Sequence, residues 1–289
     1  MPYKPNLGGS IPSSFPPQFP DAKISSISFS TVLIEQLSND GEERPLAHAT
    51  GFCWRHGPDV YVITARHVLC GRSPFDDTLM SANGFIPLLF DVFITVEHPQ
   101  GSNMWTRGKV RLARSDEDDA PWLEDPDFAI LRTDIAAWKL PLSPYASVRC
   151  LNDEPGNFTP MMTMVGFDCF VVGYTTPAKA GAMTPIWRRG ALASEPLLAV
   201  DEKPMFLLDA STSPGLSGSP VFRRHTGPLP NEKDGEFHVK MDNVVATSFV
   251  GVYAGRLANS TVGGEVPFVF YGNRIPIILG SPHAPETAL

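Results

Sequence analysis

Three features of the 289-residue sequence predict an all-β fold. Short apolar or alternating runs recur along most of the chain, and clusters of turn-forming residues separate them. A complement of 24 glycines and 29 prolines leaves little room for long helical periodicity. With 43% hydrophobic and 19% charged residues, the chain can bury one large core or two small ones.

Residues 1–22 mix proline with glycine, serine and asparagine, a composition that predicts an extended arm. The runs that follow predict strands at Ser28–Leu37, Ala49–Arg55, Val60–Thr64, Ile86–Val96, Met104–Ala113, Phe128–Arg132, Met161–Tyr174, Pro204–Leu208, Pro220–Phe222, Phe237–Val252 and Pro267–Leu279. Strands at this spacing fit a sandwich or barrels. The acidic stretch Ser115–Asp119 and the polar stretch Arg223–Asn243 read as solvated loops. No fixed-period repeat is present, and the strands divide into two halves near a linker at Ala136–Asn157.

The formal net charge is −8, and no basic stripe is dense enough to neutralise a phosphate backbone, so nucleic acid is not an expected partner. No apolar run is long enough to span a bilayer, and the opening residues do not read as a secretory signal. The expectation is a cytoplasmic protein without a membrane partner. Cys53, Cys70, Cys150 and Cys169 form no zinc pattern and too sparse a set for a disulfide scaffold. They read as buried thiols, with one bridge between Cys53 and Cys70 left open. His48 and His56 are too loosely placed for a metal, and neither metal nor organic cofactor is implied.

Three segments carry chemistry. Tyr61–Leu69 is a β-branched run that delivers His67 at a strand end. Asp125-Pro126-Asp127 sets acids at the mouth of the apolar run Phe128–Leu131. Asp209–Phe222 places Ser217 between Gly215 and Gly218, so that a tight turn can expose the hydroxyl and leave the N–H groups of Gly215 and Ser217 as donors for an oxyanion. Serine becomes a useful nucleophile when an imidazole accepts its proton and a carboxylate orients that imidazole.

With these residues in the order His, Asp, Ser, the sequence resembles the trypsin-like, chymotrypsin-fold serine peptidases. The matching motifs are Thr64-Ala65-Arg66-His67, Asp127-Phe128-Ala129-Ile130-Leu131 and Gly215-Leu216-Ser217-Gly218-Ser219-Pro220. Asp209-Ala210, Thr50-Gly51-Phe52 and Gly272–Ile277 are similar to the bacterial HtrA-like branch, here without a PDZ module. The resemblance implies two six-stranded antiparallel β-barrels with the active site between them, one in residues 23–140 and the other in 141–289. It also implies a serine endopeptidase acting on proteins or peptides. His67 would be the general base, Asp127 its orienter and Ser217 the nucleophile, with Asp125 and Asp134 as rival orienters. Gly215 and Ser217 would form the oxyanion hole. The primary pocket would lie between Ser211, Thr212 and Ser213 on one wall and Val252, Tyr253, Ala254 and Gly255 on the other.

Departures from the family pattern carry expectations of their own. Leu216 replaces the aspartate that secreted trypsins use for zymogen activation, so the loop is expected to lack a polar anchor and to be ordered by a partner or by oligomerisation, or else substrate choice is very narrow. No acid occupies the pocket floor, which favours small or medium apolar side chains over Lys or Arg. An α/β-hydrolase would need Ser, acid and His in that order, and the histidines after Ser217 (His225, His238 and His283) lie in expected loops. The remaining alternative is a catalytically silent barrel that serves as a peptide-binding or scaffold module.

Overall fold

The computed structural model describes residues 25–97, 105–142, 147–175, 184–233, 236–259 and 264–281. The arm expected at 1–22 lies outside the described residues, as do His238 at the side-chain level and His283 altogether. The described residues form two antiparallel β units with four short α-helices.

The first unit contains helix α1 (Ser26–Ser30) and seven strands: β1 (Thr31–Leu37), β2 (Pro45–His56), β3 (Asp59–Thr64), β4 (Leu89–Glu97), β5 (Trp105–Ala113), β6 (Leu123–Glu124) and β7 (Ala136–Lys139). Helices α2 (Arg66–Cys70) and α3 (Phe128–Leu131) interrupt them. The sheet order is β5-β4-β1-β2-β3-β7-β6. The second unit is a closed six-stranded barrel of β8 (Asp168–Gly173), β9 (Ile186–Leu192), β10 (Met205–Ala210), β11 (Pro220–Lys233), β12 (Glu236–Asn259) and β13 (Gly264–Tyr271), followed by α4 (Arg274–Ile278). The predicted all-β class stands. Among the described residues the first unit has seven strands, one more than the expected six.

Period-2 alternation explains how the units meet. On β2 and β3, Cys53, Val60 and Val62 point into the first unit's own core with Val32, Phe90 and Trp138. Their neighbours Phe52, Trp54 and Ile63 face the other way and share a second core with Val172, Phe222, Val252 and Phe270 of the barrel. Both faces of this sheet region are therefore buried, and the second face presses it against the barrel.

Several expected elements are corrected. Phe128–Arg132 is not a strand: backbone N–H groups of Phe128, Ile130 and Leu131 return to the carbonyls of Asp125 and Asp127 and close a helical turn. A four-residue apolar run cannot distinguish strand from helix by periodicity. The Arg223–Asn243 stretch is not a loop, because β11 and β12 continue through it as a long hairpin. The first residues of the supposed linker, Ala136–Lys139, are β7, paired with β3.

Candidate active site

His67 is the second residue of α2, which begins where β3 ends. Its place is fixed by Asp134, whose side chain is 1% exposed. One carboxylate oxygen accepts the His67 backbone N–H at 2.8 Å, and the other lies 2.5 Å from His67 Nδ1. The Asp134 carbonyl accepts the N–H of Arg66. One carboxylate thus holds the backbone and the ring of the same histidine. A proton on Nδ1 satisfies that contact and leaves Nε2 with a free lone pair.

This corrects the expectation for Asp127. Its carboxylate is 55% exposed and pairs with Arg274 Nη2 at 3.0 Å. Asp125 is not the orienter either: it is buried and accepts two bonds from the Arg274 guanidinium. The turn of α3 takes both acids toward α4, and Asp134 arrives beside His67 two residues before β7 starts. Burial pushes the Asp125 carboxyl up, but the bonds from Arg274 and from the Asp127 N–H outweigh it and hold the group below its ordinary value.

Ser217 lies on the loop between β10 and β11, with Gly215 at φ +97° and Gly218 at φ +84°. A Cβ at Gly218 would stand 2.1 Å from the Thr50 carbonyl oxygen and 2.2 Å from Thr64 Oγ1, so only glycine lets this loop touch the strands that lead to His67. Thr50, fully buried on β2, ties the loop down. Its N–H donates to the Ser217 carbonyl at 2.9 Å, its hydroxyl donates to the Gly215 carbonyl at 2.8 Å, and it accepts the Tyr174 N–H at 2.9 Å. Thr64 in turn donates to the Thr50 carbonyl. The expectation of a loop without a polar anchor is corrected: Leu216 is itself buried in the barrel core, and the anchor comes from the first unit.

The geometry brings His67, Asp134 and the Ser217 loop together at the junction of the two units. Among the described residues, no hydrogen bond joins Ser217 Oγ to His67, and none engages the N–H of Gly215 or Ser217. Catalytic hydrogen bonds of unliganded enzymes often tighten only with substrate. The sequence from residue 49 to 229 matches the family model of the trypsin-like peptidase domain, which spans more than half of the chain and takes in His67, Asp134 and Ser217. The chain belongs to the trypsin-like peptidase domain family. No curated protein matches its sequence.

Of the residues expected to line this peptidase domain's primary pocket, Thr212 and Tyr253 meet directly, the tyrosine hydroxyl 2.9 Å from Thr212 Oγ1. Tyr253 also pairs through its backbone with Gly218 and Ser219. Val252 is fully buried in the shared core and does not line an open wall, and Ala254 is buried beside it. Ser211 is exposed, Ser213 is half-buried, and Gly255 forms part of a bulge at φ +147°. All four cysteines are buried free thiols, and burial raises those of Cys150 and Cys169 to about 12. No cluster of metal-ligating side chains occurs among the described residues. No described helix is long and apolar enough to cross a membrane.

Sequence reasoning ranks Asp134 behind Asp127 as the orienter and gives Thr50 no role in holding the serine loop. Asp134 stands two residues before Ala136 in Asp134-Ile135-Ala136-Ala137, the same spacing that drew attention to Asp127. Thr50 enters the sequence reading only within the Thr50-Gly51-Phe52 resemblance, and its anchoring bonds leave no local signal because they reach residues 124 and 165 positions away.

Proposed function

We propose that the chain is a serine endopeptidase in which His67, Asp134 and Ser217 form the triad. The observation that carries this reading is the double grip of Asp134 on His67, set against a glycine-turned loop that carries Ser217. As Ser217 Oγ bonds to the substrate carbonyl carbon, its proton passes to His67 Nε2, and Asp134 stabilises the imidazolium. The carbonyl oxygen, now negative, is received by the N–H groups of Gly215 and Ser217. His67 then protonates the leaving amine as the C–N bond breaks; water, deprotonated by His67, next adds to the acyl carbon, and the proton returns from His67 to Ser217 Oγ as the C–Oγ bond breaks and the acid leaves.

Within the family, the residues around Ser217 favour a place near the HtrA-like branch. Four buried free thiols support a reducing compartment, hence the cytoplasm. Restraint of such an enzyme could come from an activating partner or from narrow substrate choice, and the Thr50 anchor favours the second. The test is reaction with a fluorophosphonate followed by peptide mapping. An adduct on Ser217 in the wild type, lost in Ser217→Ala and His67→Ala, is the expected result. Peptide binding with no adduct in any form would instead assign the silent, peptide-binding reading.

A further inference from the structure

The gap expected to take the side chain next to the carbonyl attacked by Ser217 lies between the limb 211–215, which runs into the serine, and the part of β12 that runs past it. Tyr253 stands in that gap. Its backbone N–H donates to the Ser219 carbonyl at 2.9 Å and its carbonyl accepts the Gly218 N–H at 2.8 Å, so its position relative to the nucleophile is fixed. Its hydroxyl crosses to Thr212, five residues before Ser217. The residue is only 3% exposed and packs with Leu216, Val221 and Val269.

We infer that the Tyr253 ring, latched to Thr212, fills the primary specificity pocket and limits cleavage to bonds that follow glycine, alanine or serine. This rests on Ser217 being the nucleophile. Swinging the ring out to admit a large side chain would break the latch, open the packing around Leu216 and disturb the loop that holds the oxyanion donors. A small side chain requires none of this. The narrowness arises from volume, so it applies to charged, aromatic and branched side chains alike.

The test uses the full chain and two peptidyl phosphonates that differ only in the acyl residue, alanine or phenylalanine, with a fluorophosphonate lacking a side chain as a control. In the wild type the alanine probe reacts about 100-fold faster or more. Tyr253→Val raises the rate of the phenylalanine probe relative to that of the control, both measured on the same variant, by about tenfold or more. Tyr253→Phe keeps the ring and so keeps the alanine preference, which preserves the test if the valine variant does not fold. A wild type that takes both probes equally while reacting with the control would overturn the inference. No reaction with any probe would overturn the nucleophile assignment and this inference with it.

Discussion

Asp134 and Asp127 illustrate how one residue's chemistry is decided by what surrounds it. Both precede an apolar run, and both sit two residues before an alanine. Only Asp134 feeds a strand that pairs with β3, which puts its carboxylate where His67 emerges. Gly218 is legible in the sequence as a turn glycine, but the reason for it is not: a carbonyl and a hydroxyl from another unit occupy the place of a Cβ. Gly218→Ala is therefore expected to lower stability by more than about 2 kcal/mol and to abolish labelling of Ser217, read by thermal melting and by the fluorophosphonate. Thr50→Val keeps the shape and removes the hydroxyl, and with it the bonds to the Gly215 carbonyl and the Tyr174 N–H. About 1–3 kcal/mol of stability should be lost, with a larger fall in turnover than in substrate binding, since Gly215 is one of the two proposed oxyanion donors.

At the scale of elements, strands with clear alternation, such as β2 and β3, were readable because each face enters a different core. Segments whose conformation depends on distant partners were not. The turn α3 forms where Asp125 binds Arg274 of α4, and the polar β11–β12 hairpin is held by backbone pairing that side-chain polarity does not report. The Arg274–Asp125 pair gives a pH prediction. Asp125 is held below its unfolded value of about 3.9, so the pair's contribution is complete above that pH and is lost as pH falls through the lower folded value. Arg274→Met would leave a buried carboxylate unpaired and should cost about 3 kcal/mol at pH 7, with a flatter acid limb in melting temperature between pH 5 and 2. An unchanged acid limb would show that the pair does not carry it.

For the molecule as a whole, the same contact that buries Phe52 against the barrel also builds the site. Phe52 packs on Phe249 at 5.5 Å between ring centroids, and the shared core takes side chains from both units. The units should consequently unfold together, and Phe52→Ala should destabilise both by about 3–5 kcal/mol in one transition seen alike by fluorescence and circular dichroism. Two separate transitions would mean that the site joins independent parts. In the proposed mechanism the first unit supplies a base oriented by Asp134 and the second supplies the nucleophile. Its most direct test compares the rate of Ser217 labelling by fluorophosphonate in Asp134→Asn and Asp127→Asn. The Asp134 variant should be slower by a factor on the order of 10³–10⁴, and the Asp127 variant should stay within a few-fold of wild type. Normal labelling in Asp134→Asn, or a large loss confined to Asp127→Asn, would contradict it.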